Sequence, residues 1–333
     1  MRRREYDESD VRVRPGRSTR ARTRTRPRHE QAVDAFVVAV DRGRYTCALD
    51  DGTVLLAMLA RELGRAGVVV GDRVAVVGDL SGRAGSLVRI VRVAPRTSTL
   101  LRSADDGAGT PAWREKVIVA NAVQLVIVSA LADPPPRTGF IDRCLVAAYD
   151  AGITPLLCLT KADLAGPEAV LDYYADLGLR YVLCRPDEDP AALRTALADQ
   201  LSVLVGHSGV GKSTLVNRLV PEARRAVGTV SAVGKGRHTS SSAVALPLAG
   251  GGWVIDTPGV RSFGLAHISP DDLLHGFAEL ADASTGCLPN CDHSGLGGDC
   301  GLDKAVADGA ADPRRLASYR RLLASRAGDE PPS

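Results

Sequence analysis

Gly206-His207-Ser208-Gly209-Val210-Gly211-Lys212-Ser213 follows the apolar run Ser202-Val203-Leu204-Val205 and precedes a stretch of helical periodicity. A G-x-x-x-x-G-K-[ST] string between a strand and a helix constrains the fold more than any other feature of this chain. The loop must leave the C-terminal end of a strand and open a helix, which calls for a parallel α/β sheet. Its chemistry is phosphate binding. The glycines let backbone N–H groups curl round an anion, and the helix N-terminus adds a favourable dipole. Lys212 is placed to reach the β and γ phosphates and Ser213 to ligate Mg²⁺. Gly206, His207, Ser208, Gly209, Val210, Gly211 and Thr214 complete the cradle.

Downstream, Trp253-Val254-Ile255-Asp256-Thr257-Pro258-Gly259 reads as a strand ending in D-x-x-G. Asp256 is the expected second holder of Mg²⁺, through water, and the Gly259 N–H is expected at the γ-phosphate. Between the two motifs lies Gly234-Lys235-Gly236-Arg237-His238-Thr239-Ser240-Ser241. A loop that closes over Mg²⁺ needs a hydroxyl. Thr239 is the first candidate and Ser240 the second. Val260 follows Gly259, where many GTPases place a Gln that orients the attacking water. An aliphatic side chain cannot do that, and His238 is the nearest polar group by sequence to take over. The catalytic set read here is therefore Lys212, His238 and Thr239.

A guanine reader stands upstream. Thr160-Lys161-Ala162-Asp163 follows the apolar run Thr154-Pro155-Leu156-Leu157-Cys158-Leu159. In an N/T-K-x-D motif the carboxylate accepts from guanine N1–H and the exocyclic amine, and the Lys stem covers the ring. Adenine lacks that donor pair, and a bidentate contact of this kind discriminates by about 1–3 kcal/mol. The usual order is P-loop, switch, D-x-x-G, guanine motif. No N/T-K-x-D occurs after Gly259, so here the guanine motif comes first. A parallel sheet tolerates this reordering when old termini are joined and new ones open elsewhere. The order points to a circularly permuted GTPase.

The flanks carry other chemistry. Residues 1–33 are dense in Arg, without apolar periodicity, and read as a disordered basic arm. The chain has a net charge of only +3, so the distribution of charge matters more than its sum. Residues 34–95 show short β-type runs, such as AFVVAV, TVLLAML and DRVAVVGD, broken by turn signals. That pattern suggests a small barrel of the OB kind. Residues 96–115 read as a linker, and residues 113–265 as the GTPase domain. Residues 266–333 read as a helical zinc-binding domain. There Cys287-x3-Cys291-x-His293-x6-Cys300 supplies thiols and an imidazole at close spacing among glycines. Four protein ligands favour one structural, tetrahedral Zn²⁺. Cys47, Cys144, Cys158 and Cys184 sit in apolar runs and read as core. Arg314, Arg315, Arg320, Arg321 and Arg326 mark a basic terminal helix suited to phosphates. No secretory signal or membrane span is read, and the expected compartment is cytoplasmic.

At these residues the chain resembles a known family. VIVSA at 126–130, TKADL, GHSGVGKSTL, GKGRHTSS and IDTPGVRSFGL at 255–265 occur in the order of the circularly permuted, ribosome-small-subunit-dependent GTPases, the RsgA or YjeQ family. The resemblance spans about residue 33 to the C-terminus. It implies an OB barrel, a permuted GTPase and a zinc domain, with GTP hydrolysed to GDP under stimulation by the 30S subunit and a role in late small-subunit maturation. It also implies contact with 16S rRNA; a monomer is the default. The sequence departs from the pattern at Thr160, where Asn is usual, and at His207, where Gln is frequent. The zinc spacings differ slightly from the commoner C-x4-C-x-H-x5-C. No Ser-Ala pair stands near Cys184-Arg185-Pro186, where the second guanine-support loop should lie. A binding module that holds GTP without turnover is the alternative reading. An ATPase or small-molecule kinase is disfavoured by TKAD.

Overall fold

The computed structural model describes residues 29–64, 67–103, 115–221, 243–257, 263, 265, 267–295 and 300–326. The basic arm, Met1–Glu30, is a unit separate from Gln31–Ser333, and its residues 1–28 lie outside the described ones.

Strands β1 (Val33–Asp41), β2 (Arg44–Ala48), β3 (Val54–Leu59), β4 (Arg73–Val77) and β5 (Val88–Val93) form a closed barrel in the order β1-β2-β3-β5-β4, with β4 pairing back to β1. The β3–β5 pairing is parallel and the others are antiparallel. Alternate residues point inward, so Val37, Cys47, Leu55, Ala57, Val74, Val76, Val88 and Ile90 fill the interior. This is the OB-type barrel expected from the short alternating runs.

The stretch 96–115 read as a linker contains a strand among its described residues, and its residues 104–114 lie outside them. β6 (Thr99–Ser103) and β7 (Glu115–Ala120) pair as an antiparallel ribbon. Leu100 and Val119 are buried against the main core. β6 has only Leu100 and Leu101 as apolar residues, too few to show a strand period, and the pairing with Glu115–Ala120 is what orders it. The ribbon is tied to the barrel: the buried Asp72 carboxylate holds Arg96 at 2.7 Å and 2.8 Å, and Asn121 Nδ2 donates to Gly71 O at 2.9 Å.

Next come β8 (Gln124–Ala130), α1 (Thr138–Asp150), β9 (Thr154–Thr160), α2 (Glu168–Tyr173), β10 (Tyr181–Cys184) and α3 (Ala191–Leu197). They are followed by β11 (Leu201–Val205), α4 (Lys212–Leu219), β12 (Val244–Pro247) and β13 (Trp253–Asp256). The sheet order is β10-β9-β8-β11-β13-β12, parallel except for β12. β8 is buried along its whole length, as a central parallel strand covered on both faces must be. Leu125, Ile127, Val203, Val205 and Ile255 face α1, while Val126, Val128, Leu204 and Val254 face α3 and α4. This odd–even division builds two cores from one sheet. β12 meets β1 through the pair Ala39–Val244, so barrel and sheet are continuous. α2 ends at Tyr173 before a separate 3₁₀ turn at Ala175–Leu177.

The C-terminal region is helical: α5 (Pro270–Leu273), a 3₁₀ turn at Leu274–Gly276, α6 (Ala278–Ser284), α7 (Gly301–Ala307) and α8 (Pro313–Arg326). Its apolar residues Leu273, Phe277, Leu280, Leu316 and Tyr319 share one core with Ile141, Leu145 and Ala148 of α1. The region therefore packs directly on the helical layer of the parallel sheet.

Candidate nucleotide site and metal centre

Four chain segments separated in sequence meet at the C-terminal ends of neighbouring strands β9, β8, β11 and β13. That end of a parallel sheet is where ligands bind. The P-loop leaves β11 after Val205 and opens α4 at Lys212, with Gly211 as N-cap. Gly209 and Gly211 take φ of 84° and 89°, a left-handed conformation that side chains resist. A Cβ at Gly206 would lie 2.7 Å from Val128 O, so the loop's first glycine is required by its approach to β8. Ser208, Gly209, Ser213 and Thr214 are exposed at the mouth. The Val210 side chain is buried beneath, and the His207 ring packs on Phe140 of α1 with centroids 4.1 Å apart.

Lys212 Nζ donates to the Asp256 carboxylate and, at 3.4 Å, to Thr257 O. Both charged side chains are 11% exposed. This ion pair joins the two residues expected at phosphate and Mg²⁺. In-register pairing of Leu204 with Asp256 puts them there, and Thr257 Oγ1 locks the strand ends by donating to Leu204 O at 2.7 Å. His238, Thr239, Gly259 and Val260 lie outside the described residues.

TKAD begins at the last residue of β9. Thr160 is buried, and its hydroxyl donates to Val210 O of the P-loop at 2.6 Å. The Thr that replaces the usual Asn therefore still links base reader to phosphate loop. Lys161 takes φ 56°, and its ammonium donates to Asp133 O on the loop after β8. That anchor draws the side chain from the β9 end to the β8 end of the pocket. Ala162 is half-buried and Asp163 exposed. Asp133, Thr257 and the Val210 carbonyl escaped the sequence reading; only the turn-forming Asp133-Pro134-Pro135-Pro136 hinted that β8 ends at a functional loop. Cys158 and Cys184 lie just below, Sγ to Sγ 3.7 Å, and the shared hydrogen and burial push the Cys158 thiol well up.

In the C-terminal region the side chains of Cys287, Cys291, His293 and Cys300 converge, with donor atoms all within 4.8 Å of one another. Cys287 Sγ lies 3.5 Å from His293 Nδ1 and 4.0 Å from Cys300 Sγ. A tetrahedron with Zn–S arms of about 2.3 Å has sulfurs about 3.8 Å apart, so the spacing is compatible with zinc. Burial pushes the Cys300 thiol up, and the neighbouring Cys291 and Cys287 add to that. A dication reverses this cost by taking thiolates. A second layer steadies the cluster. Gly301 N–H donates to Cys287 Sγ at 3.2 Å, and Arg320 donates to His293 O at 3.1 Å while gripping Asp303 with two bonds of 2.8 Å.

The basic terminal helix needs correction. Arg315 is buried, paired with Glu279 at 2.5 Å and Asp142 at 3.5 Å, with its guanidinium 4.6 Å from the Phe277 ring centroid. It is part of the core and cannot meet an external phosphate. Arg320 braces the Cys–His cluster, and Arg314 holds Asp312 and covers Tyr173. Arg321 remains exposed, and the Arg326 side chain lies outside the described residues.

Residues 93–266 match the model of the RsgA GTPase family. The matched stretch is more than half the chain and contains every nucleotide motif described above. The chain belongs to the RsgA GTPase family. It is 44% identical over 246 residues to the small ribosomal subunit biogenesis GTPase RsgA of Pseudomonas aeruginosa, covering 71% of this chain and 70% of that protein. The RsgA of Pseudomonas putida is 41% identical over 274 residues, 79% of this chain and 76% of the relative. Among solved structures, YjeQ from Thermotoga maritima aligns with a TM-score of 0.66 and 26% identity over 89% of this chain and 99% of that one. YloQ, described as a circularly permuted GTPase, shares the fold with a TM-score of 0.65 at 22% identity, over 92% of this chain and 100% of that one. This RsgA family member is thus a P-loop GTP hydrolase with a permuted order of motifs. No helix among its described residues is long and apolar enough to cross a membrane.

Proposed function

We propose that this chain hydrolyses GTP to GDP and phosphate on the small ribosomal subunit and acts in its late maturation. The observation that carries the reading is the convergence of the guanine loop, the P-loop and Asp256 at adjacent strand ends, with Thr160 bonded to Val210 O. In this reading Asp163 accepts from the guanine edge, and the stem of Lys161 covers the ring. Residues 206–211 and Thr214 cradle the phosphates. Lys212 would serve the β and γ phosphates, and Ser213 and Asp256 would hold Mg²⁺. Thr239 would complete the Mg²⁺ shell, the Gly259 N–H would meet the γ-phosphate, and His238 would orient water in place of a Gln. Mg²⁺ supplies charge neutralisation for the leaving diphosphate.

The Cys287–Cys291–His293–Cys300 cluster would hold one structural zinc. The relatives named above carry the small subunit in their names, which supports the 30S subunit and 16S rRNA as partners of this monomer. The free state of all seven cysteines suits a reducing cytoplasm.

Phosphate release from GTP and from ATP, with and without purified 30S subunits, tests the reading. The expected result is a slow GTP rate that rises by about two orders of magnitude or more with 30S, as activator-supplied stabilisation does elsewhere, and inert ATP. A flat response to 30S would remove the ribosomal partner and leave an RNA-binding nucleotide sensor.

A further inference from the structure

The guanine edge presents an N1–H and an amine to Asp163, and beside them a keto oxygen, O6, that needs a donor. The sequence lacks the Ser-Ala pair expected for that task. The structure shows what stands in its place. β10 ends at Cys184, in register with Thr160 of the guanine loop, and Ala162 N–H donates to Cys184 O at 3.3 Å. Residues 185–188 therefore leave the sheet alongside Lys161, Ala162 and Asp163. Glu188 closes this loop on itself by pairing with Arg185 at 2.8 Å.

A clamp comes from the P-loop helix. Arg218, in the last turn of α4, donates through one nitrogen to Arg185 O at 3.0 Å and Pro186 O at 2.8 Å, and through another to Glu188 O. Carbonyls of residues 185, 186 and 188 thus converge on one guanidinium. A planar fork with several fixed N–H donors can meet such a set, which a point-charge ammonium cannot. The clamp also orients donors. In a trans peptide the N–H and C=O point in opposite directions. With Pro186 O drawn to Arg218, the N–H of Asp187 is turned out of the clamp. Pro186 has no N–H of its own to compete.

We propose that Arg218 is a positioning residue for base recognition: it fixes residues 185–188 beside Asp163 so that the Asp187 N–H meets the keto oxygen of guanine. The proposal rests on the guanine-site reading above. It also ties base to phosphate, since α4 begins at Lys212 and ends at the clamp.

The test is calorimetric binding of GTP, inosine triphosphate, 6-thioguanosine triphosphate and ATP to the full-length chain and to Arg218→Met. The variant keeps an unbranched apolar stem, and its melting temperature is recorded. Inosine triphosphate keeps O6 but lacks the amine that Asp163 reads. The 6-thio analogue keeps both Asp163 contacts and replaces O6 with a poor acceptor. In Arg218→Met the dissociation constants for GTP and inosine triphosphate should each rise about tenfold, and that for the thio analogue by less than about twofold, as loss of one hydrogen bond predicts. Equal weakening of all three would make Arg218 a general support of the fold and overturn the proposal, as would no change. If Arg218→Met does not fold, Arg218→Lys is read for the same pattern. If the wild-type chain binds ATP as well as GTP, the guanine-site reading itself fails, whatever the variant does.

Discussion

Asp163 and Thr160 are neighbours in sequence with opposite surroundings, and they should fail differently. Asp163 is exposed at the pocket, so Asp163→Asn should leave stability unchanged. It should cost about 1–3 kcal/mol in GTP binding, while xanthosine triphosphate, whose 2-keto group suits an amide donor, gains relative to GTP. Competition titrations with the two nucleotides measure this. A parallel loss for both would mean that Asp163 does not face the base. Thr160 is buried and bonded to Val210 O, so Thr160→Val leaves that carbonyl without its partner. The expected cost is about 1–3 kcal/mol of stability, with weaker binding of nucleotide because the P-loop loses its tether. Chemical denaturation checks the first effect and calorimetry the second. The TKAD letters are in the sequence, but the 2.6 Å bond from Thr160 to the P-loop joins residues fifty positions apart and required the sheet.

Two elements deserve their own experiments. The first is the contact between α1 and the C-terminal helices. Arg315 of α8 reaches Asp142 of α1 and Glu279 of α6, while Ser318 Oγ donates to Asp142 as well. Burial holds the Asp142 carboxyl above its usual range despite that charge, so the group is desolvated and depends on its partners. Arg315→Ala strands two buried carboxylates and should destabilise by about 3–5 kcal/mol. A substitution of the exposed Arg321 should cost less than about 0.5 kcal/mol. Thermal melts of both decide it, and equal effects would mean that the cluster is solvated. The second element is the Cys–His cluster. One zinc per chain is expected by elemental analysis, and Cys291→Ser should lose it. Chelation should loosen residues 287–307, read as faster amide exchange there, and leave α4 and the P-loop protected, because the cluster contributes to folding only where it binds.

At the scale of the molecule, the C-terminal helices share a core with α1, and the barrel meets β12 through β1. β12 precedes β13, which ends at Asp256, and the residues between α4 and β12 lead from the P-loop helix back to the sheet. A partner gripping the barrel or the Cys–His region therefore touches elements one step from the nucleotide site. Zinc removal is expected to lower 30S-stimulated phosphate release while sparing the 30S-independent rate, because the nucleotide pocket contains no residue of the Cys–His cluster. Paired rate measurements with and without chelator check this. If both rates fell together, the cluster would be supporting the whole fold rather than the response to 30S.

What the sequence determined was chemistry that depends on local spacing. The P-loop glycines and the TKAD string each lie within a few residues of one another, the Cys–His set shares one short loop-rich stretch, and the order of motifs is read directly along the chain. The parallel α/β sheet was legible too, because a P-loop leaves a strand end and opens a helix; its division into two cores came from the structure. Tertiary structure decided whatever depends on distant partners. It turned Arg315 from a surface cation into a core residue, since only the fold brings Asp142 and Glu279 to it. It paired Thr99–Ser103, read as linker, with Glu115–Ala120 as an antiparallel ribbon. It set Lys212 against Asp256 and Arg218 against residues 185–188, because a parallel sheet aligns strand ends that the chain visits in a different order.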